Sequence, residues 1–455
     1  DAAGNRIKED TYDPNGTITR TLARRYTALN QLAQQIDALN HTTSFAYDAN
    51  GNRIRSIDAL NTQTDQHYDA LNRLIHTIED ATAPNGTPTK NTTTVYAYDA
   101  LDHLTGITDP TRLTTQYTFD GVNNSTQLHS PDSGDTTYTY DAAGNRITQT
   151  DARGITATYT YDALNRLTAI TYPDPTLTTT YQYDRVEPEC APEERYAMGR
   201  LTGMSDESGR TTYCYDRRGN PTRKTHATAI RYSCDTARCG SVTSARAPVS
   251  VKDNANATGP GYTTPHPTAL QSLTVTTRYS YTVADRLASI TYPSGMTVTY
   301  TRNALGQISQ VSATPRGGTP IPIIRSVTYL PFGPIQTLTY GTGRSLTTTY
   351  DPNYAPITHT DPNGLTLAFT RDPLGNLQSA GTSANTPQRI YYYDNLYRLT
   401  EVDNATNTAL ETYTYNQTGD RISRQLAGQA TQPYTYPPTN HRLASVAGQA
   451  RSYDE

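Results

Sequence analysis

The stretch Tyr138–Leu167, YTYDAAGNRITQTDARGITATYTYDALNRL, contains nearly the same motif twice. Asp141 opens DAAGNRI, and Asp162, 21 residues later, opens DALNRL. Each copy joins a tyrosine, an aspartate, residues that favour a turn, and an arginine. A fixed step of this length predicts a repeat protein, in which each unit packs mainly against its two neighbours.

The same step recurs along most of the 455 residues. The opening aspartate, or the residue in its place, recurs at steps of 21 or 22 residues in several runs. These positions are Asp48 and Asp69, then Asp99, Asp120, Asp141, Asp162 and Asp184, and finally Asp351, Asp372, Asp394 and Asn416. Weaker copies at Thr27, Thr282, Asn303 and Leu330 keep the register, so the period covers both ends of the chain.

Each unit also has a second turn signal about ten residues after the first, as at Asp58, Asp109, Asp151 and Asp361. The segments between turns alternate Thr or Ser with Tyr, Ile, Val or Leu. A period of two residues bounded by Asp, Asn, Gly and Pro is typical of β-strands. We therefore predict an all-β fold, an array of antiparallel β-hairpins of about 21 residues each that spirals into a strip, shell or solenoid.

The residue types suggest a structural role for each position. Asp and Asn accept backbone N–H bonds within a turn, and Gly or Asn adopts the left-handed conformation there. Tyrosine is expected to stack between neighbouring repeats, and arginine, which accounts for 34 of the 38 basic residues, stacks on aromatic faces and binds carboxylates. The residues predicted to build the repeats in this way are Tyr47, Asp48, Tyr68, Asp69, Tyr98, Asp99, Tyr140, Asp141, Gly144, Arg146, Tyr161, Asp162, Arg166, Tyr350, Asp351, Tyr393 and Asp394.

Breaks in the register divide the chain into three parts. Residues 1–185 are regular repeats with an insertion loop at 79–91, and residues 186–273 are an interrupted region with one degenerate repeat near Asp216. Residues 274–455 return to the repeat pattern. Both ends fall inside a repeat, from which we expect the chain to be part of a longer polypeptide.

All four cysteines lie in the interrupted region, at Cys190, Cys214, Cys234 and Cys239. Their spacing lacks the paired CxxC pattern of zinc sites, so no metal site is predicted. Two local disulfides in an exported protein are the favoured interpretation, and free thiols are the alternative.

Several classes of function find no support in the sequence. The net charge is −4 with scattered basic residues, which disfavours nucleic-acid binding, and no apolar run is long enough to span a membrane. No HExxH, GxSxG or phosphate-loop motif occurs, and turn capping accounts for the frequent aspartates. We predict neither enzymatic activity nor a cofactor.

The regularly spaced tyrosines also suggest an alternative function, that of a carbohydrate-binding adhesin, because aromatic rings can stack on sugar rings. The densest cluster is Tyr391, Tyr392 and Tyr393, which would be the place for a glycan to bind. Since tryptophan is absent and tyrosine alternates with threonine as in a strand, structural packing is favoured over an adhesin role.

The motifs resemble the YD repeats of the RHS family. The residues that carry the resemblance are YDANGNRI at Tyr47–Ile54, YDALNRL at Tyr68–Leu74 and Tyr161–Leu167, and YDAAGNRI at Tyr140–Ile147. The family includes bacterial RHS polymorphic toxins, the B and C components of insecticidal toxin complexes, and teneurins. The resemblance implies a hollow shell that encloses a C-terminal toxic cargo domain, in a secreted or surface-exposed bacterial protein.

The predicted function is therefore structural: a wall or scaffold whose partner is a cargo domain outside these 455 residues. The resemblance brings no catalytic residue, because the self-cleaving core that follows the repeats in such proteins is not in the sequence. An alternative is an extracellular filament, in which identical subunits pair head to tail through unpaired strand edges.

Overall fold

The computed structural model describes residues 1–13, 15–81, 90–233, 268–331, 333–362 and 364–453. Within these residues the fold is all-β, as the sequence predicts, with 36 strands, two short 3-10 turns at Pro175–Leu177 and Pro192–Glu194, and no α-helix. No helix in this part of the chain has the length and apolar character needed to cross a membrane.

The first half of the chain contributes strands that follow one another at short, regular intervals. They are β1 (Lys8–Tyr12), β2 (Ile18–Tyr26), β3 (Leu32–Ile36), β4 (Thr42–Tyr47), β5 (Arg53–Ile57), β6 (Gln63–Tyr68), β7 (Leu74–Glu79), β8 (Thr92–Tyr98), β9 (Leu104–Thr108), β10 (Thr114–Phe119), β11 (Ser125–Ser130), β12 (Gly134–Tyr140), β13 (Arg146–Thr150), β14 (Thr156–Tyr161), β15 (Leu167–Thr171), β16 (Thr179–Tyr183), β17 (Leu201–Asp206), β18 (Gly209–Tyr215) and β19 (Pro221–Ser233).

The second half continues in the same way. Its strands are β20 (Thr268–Tyr281), β21 (Leu287–Thr291), β22 (Thr297–Arg302), β23 (Ile308–Thr314), β24 (Ile321–Tyr329), β25 (Ile335–Tyr340), β26 (Ser345–Tyr350), β27 (Pro356–Asp361), β28 (Leu365–Arg371), β29 (Leu377–Ser383), β30 (Thr386–Tyr393), β31 (Leu399–Asn404), β32 (Ala409–Tyr415), β33 (Arg421–Leu426), β34 (Gln432–Thr435), β35 (Ser445–Val446) and β36 (Gln449–Ala450).

Strands pair antiparallel with their neighbours along the chain. In the stretch Tyr138–Leu167, Thr139 of β12 lies opposite Thr148 of β13, which in turn lies opposite Thr158 of β14. The register shifts by one residue at Tyr140, and equivalent shifts occur at the tyrosines that end β4, β6 and β8. A bulge of this kind increases the local twist of a hairpin, so each repeat adds the same bend at the same place.

Turn chemistry explains where each hairpin reverses. The backbone N–H of Gly144 donates to the carbonyl of Asp141 at 3.1 Å, and Gly144 has a φ of 82°. In the neighbouring copy Asn165 takes this position with a φ of 58°. These are the residue types that adopt the left-handed conformation at least cost. Glycine and asparagine are therefore interchangeable at the third residue after the opening aspartate.

Few side chains are deeply buried, because a single layer of strands covers little of its own surface. A deeper core lies beneath residues 184–200, which pass over β17, β18 and β19. Its members include Thr202, Cys214 and Cys190, all less than 5% exposed. Elsewhere stability comes chiefly from contacts between adjacent repeats, as expected of a repeat array.

The chain forms two compact units. The first comprises Asp1–Tyr159, Thr299–Thr314 and Thr319–Glu455, and the second comprises Thr160–Val298 with Pro315–Gly318. The three-part division of the sequence stays a prediction. Strands β17 to β20 show that hairpin pairing continues within residues 186–273, although residues 234–267 lie outside the described part of the chain. The insertion at 79–91 falls between β7 and β8, and its residues 82–89 are likewise not described.

Candidate functional site: two rows of turns

The hairpins place their turns in two rows, one at each end of the strands. We call the turns that open at positions such as Asp48, Asp141 and Asp351 the YD turns. The turns about ten residues later, such as those at Asp37, Asp58 and Asp109, are the second turns. Consecutive strands run in opposite directions, so the two kinds of turn lie at opposite edges of the strip.

Most YD turns open with an aspartate that caps the turn. In the Asp141 turn, Oδ1 accepts the backbone N–H bonds of Ala143 and Asn145 at 2.9 Å each, and Oδ2 accepts the Asn145 side-chain amide at 2.9 Å. These bonds to the charged form, led by that of the Asn145 side chain, lower the pKa of Asp141. The carboxylate of Asp141 therefore serves the turn as a hydrogen-bond acceptor.

The fourth residue after the opening position often joins one YD turn to the next. Arg166 donates from Nε to Oδ2 of Asp162 at 2.7 Å and from a terminal nitrogen to Oδ2 of Asp184 at 2.6 Å. His103 similarly contacts Asp99 and Asn123. Hydrogen bonds to the two carboxylates raise the pKa of Arg166. This position links consecutive turns into a ladder.

The YD tyrosine joins neighbouring repeats through its hydroxyl group. Tyr140 donates to the carbonyl of Ser125 at 2.8 Å, and Ser125 is the fifth residue after the preceding opening position, Asp120. The same clip, always to that fifth residue, is formed by Tyr26, Tyr47, Tyr68, Tyr281, Tyr329, Tyr350, Tyr393, Tyr415 and Tyr436. Because the clip needs a hydroxyl group, it favours tyrosine over phenylalanine at these positions.

Arginine covers the tyrosine rings. The guanidinium of Arg146 lies 5.4 Å from the ring centre of Tyr138 and 5.0 Å from that of Tyr159 in the next repeat. Arg73 lies over Tyr98, Arg166 over Tyr183 and Arg398 over Tyr415 in the same way. The sequence predicts tyrosine stacking between repeats, and in the case of Arg146 the guanidinium is the layer between two tyrosine rings.

Within the first compact unit, the two rows of turns also meet each other. Second turns between Asp37 and Asp132 contact YD-row turns between Asn353 and His441, and we call this contact the seam. The joined residues lie 304 to 339 positions apart in the chain. The seam therefore joins repeats that are far apart in sequence.

At one end of the seam, Asn353 bridges to the Asp37 turn. Its Oδ1 accepts the backbone N–H of Ala38 at 3.0 Å, and its Nδ2 donates to Oδ2 of Asp37 at 2.6 Å. Burial raises the pKa of Asp37, but bonds from His41, Asn353 and Leu39 outweigh it, so the pKa is lowered. The amide thus satisfies both a backbone donor and an ionised carboxylate.

The middle of the seam is formed by charged and aromatic groups. Lys90 Nζ lies 2.5 Å from Oδ2 of Asp394, and Asn395 donates to Oδ1 of Asp80 at 3.1 Å. The hydroxyl of Tyr397 donates to Oδ2 of Asp58, whose pKa burial raises. Asp80 is almost fully buried, which shows that this contact excludes solvent.

At the other end, His441 connects three turns. Its Nε2 lies 2.6 Å from Oδ2 of Asp109, its Nδ1 lies 2.7 Å from Oδ2 of Asp420, and its backbone N–H donates to Oδ1 of Asp132 at 2.6 Å. Burial lowers the pKa of His441, but its bonds to the two carboxylates raise it by more. With an acceptor at each ring nitrogen, the charged imidazolium fits this position.

Comparison with known proteins identifies the repeats. The sequence profile described as RHS Repeat matches seven stretches: residues 26–60, 47–88, 68–113, 98–136, 140–177, 197–230 and 281–319. The repeats of this chain belong to the RHS-repeat family. No curated protein sequence matches the chain.

Solved structures share the fold of these RHS repeats. A Tc holotoxin pore of Photorhabdus luminescens with a TccC3 mutation matches at 19% identity and a TM-score of 0.75, over 98% of this chain and 24% of the other. The TcdB2–TccC3 crystal structure matches at 17% identity and a TM-score of 0.68, over 97% and 27%. The same complex without its hypervariable C-terminal region matches at 17% and 0.68, over 97% and 25%. This chain thus spans about a quarter of the length of these structures, and the likeness is one of fold.

Two of the four cysteines, Cys190 and Cys214, lie in the second compact unit of these RHS repeats. Cys190 and Cys214 form a disulfide that joins the segment before β17 to strand β18. Cys234 and Cys239 lie outside the described residues. The same segment is also held by ion pairs, Glu187 with Arg210 at 2.8 Å and Glu194 with Arg223 at 2.7 Å. The disulfide and the ion pairs fasten this segment onto the face of the sheet.

The tyrosine cluster on β30 does not form one platform. Side chains alternate along a strand, so Tyr391 and Tyr393 point to one face and Tyr392 to the other. Tyr393 uses its hydroxyl for the clip to Leu377, while Tyr392 is 42% exposed. A glycan site at this cluster stays a prediction.

Sequence reasoning located the YD turns and their tyrosines but missed the seam. Asn353, Tyr397 and His441 occupy ordinary turn positions, and their partners are ordinary turn aspartates. No local motif distinguishes them. Their contacts are visible only in the three-dimensional structure, where turns more than 300 residues apart in the chain lie side by side.

Proposed function

We propose that these RHS repeats form part of the wall of an enclosure around a C-terminal cargo domain, within a longer polypeptide exported by a bacterium. The all-β repeat fold, with its clips and ladders, supports a structural role. The aspartates, tyrosines and arginines of the motif are engaged in turns and contacts between repeats, which accounts for them without a reaction.

The observation that carries the proposal is the seam. A strip of hairpins has two exposed edges, and an enclosure requires those edges to meet. Here second turns and YD-row turns meet through Asp37 and Asn353, through Asp58 and Tyr397, and through Asp109 and His441. Hydrogen bonds and charge pairs along that line make two rows of repeats a continuous wall.

The similar solved structures add support. They come from toxin complexes, and one of them is described by the absence of a hypervariable C-terminal region. By analogy, a variable domain joined to these repeats is the cargo that we propose. Export follows from the same analogy, and a disulfide between Cys190 and Cys214 suits an oxidising compartment.

Protease protection of the full natural polypeptide tests the enclosure. We expect the C-terminal domain to survive trypsin while it is attached to intact repeats. We expect it to be cleaved rapidly in a seam variant, Asn353→Ala combined with Tyr397→Phe. A matched control is Asn50→Ala combined with Tyr138→Phe, which alters the same residue types outside the seam.

The outcomes separate the proposal from its alternatives. Equal cleavage of the C-terminal domain with and without the seam substitutions would show that the repeats do not enclose it. Retention of the 455-residue chain on a polysaccharide column, abolished by Tyr392→Ser, would favour the adhesin role instead.

A further inference from the structure

Residues 184–200, which we call the strap, are an insertion into a YD turn of the second compact unit. The backbone N–H of Asp184 donates to the carbonyl of Arg200 at 3.1 Å, whereas the same bond from Asp162 reaches only as far as Arg166. Strands β16 and β17, on either side of the strap, pair antiparallel like those of other hairpins. Strand pairing therefore does not account for the strap.

The strap is fastened to the sheet at several points along its length. Cys190 is joined to Cys214 by the disulfide, and Glu194 lies 2.7 Å from Arg223. Farther along, the backbone N–H of Tyr196 donates to a carbonyl of β18 at 3.3 Å. A wall that is rigid before a ligand arrives lowers the entropic cost of binding.

A groove of about 480 Å³ opens between the strap and two YD turns, those at Asp216 and Thr282. The strap contributes Glu193 and Tyr196 to its lining, and the sheet contributes residues at the ends of β19 and β20. All of these residues belong to the second compact unit. The volume lies within the range of small-molecule sites.

Several side chains around the groove are free to bind a ligand. Among the described residues, none forms a hydrogen bond or an ion pair with the side chains of Glu193, Tyr196, Arg217 and Tyr279. Glu193 and Arg217 are exposed, and Tyr196 is 45% exposed. The carboxylates, arginines and tyrosines of the repeat motif, in contrast, are largely engaged in turns, ladders and clips.

We propose that this groove binds a short, uncharged oligosaccharide. The exposed ring of Tyr196 stacks on a sugar ring, which presents an apolar face of C–H groups to it. Sugar hydroxyl groups donate to the carboxylate of Glu193 and accept from the guanidinium of Arg217. The site is distinct from the tyrosine cluster on β30, and it is independent of any cargo.

The charges around the groove favour an uncharged ligand. Glu193 repels an anion and Arg217 repels a cation, and the two free charges cancel. The other charged groups already have partners: Glu194 with Arg223 at 2.7 Å, Arg218 with Asp285 at 3.0 Å, and Asp216 with the backbone N–H groups of Arg218 and Asn220 in its own turn. Binding of an uncharged oligosaccharide should therefore depend little on salt.

A glycan array probed with the 455-residue chain tests this proposal. It carries neutral di- and trisaccharides of glucose, galactose, mannose and N-acetylglucosamine, with sulfated and sialylated glycans beside them. We expect retention on at least one neutral glycan, whose affinity is then measured by titration calorimetry. Tyr196→Ala should weaken that affinity at least about tenfold, and Glu193→Gln and Arg217→Ala at least about fivefold each.

Tyr292→Ala is the matched control. Tyr292 lies in the same compact unit and is 38% exposed, but it does not line the groove. This variant should bind the neutral glycan like the unmodified chain. Far-ultraviolet dichroism and mapping of the disulfide between Cys190 and Cys214 show that each variant keeps its fold and its strap.

Three results would overturn the proposal. The first is an array on which no neutral glycan is retained, including the case in which a zwitterionic dipeptide binds instead. The second is retention confined to sulfated or sialylated glycans. The third is an affinity for the neutral glycan that is unchanged in both Tyr196→Ala and Arg217→Ala. None of these results bears on protease protection of the cargo, so the enclosure is tested separately.

Discussion

His441 and Asp109 are 332 residues apart in the chain, yet Nε2 of the imidazole lies 2.6 Å from Oδ2 of the carboxylate. A second carboxylate, that of Asp420, lies 2.7 Å from Nδ1. The ring thus occupies a position between two anions from different parts of the strip. Its charge state determines how strongly this end of the seam is held.

The seam should weaken as the pH rises. The pKa of His441 is raised in the folded protein, so its contribution is complete below its unfolded value of about 6.5 and is lost as the pH rises through the folded pKa. The pKa values of Asp109 and Asp420 are lowered, so their contributions are lost only as the pH falls through those values. We expect His441→Gln to destabilise the first unit by about 1–3 kcal/mol near pH 6 and by less at pH 9, measured as urea midpoints.

His129 provides the matched control. It also lies 2.5 Å from a carboxylate, Asp135, but the pair spans a single hairpin and is half exposed. His129→Gln should change stability by less than about 1 kcal/mol. If the two histidine variants lost stability equally, with the same dependence on pH, His441 would have no special part in the seam.

The tyrosine clip can be tested by removing one oxygen atom. Tyr140→Phe deletes the hydroxyl that donates to the Ser125 carbonyl and keeps the ring, so we expect a loss of about 0.5–1.5 kcal/mol. Tyr138→Phe is the control, because the Tyr138 ring packs under Arg146 and its hydroxyl has no hydrogen-bond partner in the described part of the chain. Equal urea midpoints for the two variants would argue against the clip.

Much of this fold was predictable because its determinants are local. The aspartate, the left-handed Asn or Gly and the alternating strand residues all act within about ten positions, and they recur often enough to reveal the period. The preference for Tyr over Phe was visible, but its cause was not. The acceptor of the Tyr140 hydroxyl is a backbone carbonyl, which leaves no trace in side-chain identity.

The seam was not predictable for a different reason. In its own turn Asn353 donates its backbone N–H to Oδ1 of Asp351, as other residues at that position do to their opening aspartates. Nothing in the sequence DPNY indicates that its side-chain amide reaches Asp37. The curvature added at each hairpin decides which turns meet. Small errors in that curvature accumulate over many repeats, so the meeting point cannot be obtained from local rules.

The turn aspartates should make the fold sensitive to acid. Asp48 accepts the backbone N–H bonds of Asn50 and Asn52 at 2.9 and 2.8 Å, and its pKa is lowered, first by the side-chain bond from Asn52. Its contribution is therefore present above the unfolded value of about 3.9 and is lost as the pH falls through the folded pKa. We expect Asp48→Ala to lower the melting temperature at pH 7 and to reduce the further loss between pH 5 and pH 3.

An asparagine at the same position serves as the control. Asn303 naturally opens a YD turn and accepts the N–H bonds of Leu305 and Gln307 through Oδ1 at 3.0 Å. Asp48→Asn should therefore keep the turn, with a smaller loss at pH 7 than Asp48→Ala. An alanine variant as stable as the asparagine variant would mean that capping contributes little.

The disulfide between Cys190 and Cys214 should protect the segment before β17 from proteolysis. It closes a separation of 24 residues, for which chain entropy predicts about 3 kcal/mol of stabilisation. We expect a variant with Cys190→Ser and Cys214→Ser to be cleaved by trypsin after Arg195 at least tenfold faster than the parent chain. The cleavage products are detected by mass spectrometry.

Reductant provides the control: it should accelerate cleavage at Arg195 in the parent chain and not in the variant. Alkylation of Cys190 and Cys214 without prior reduction would show that the two thiols are free, and the ion pairs of Glu187 and Glu194 would then have to hold the segment alone.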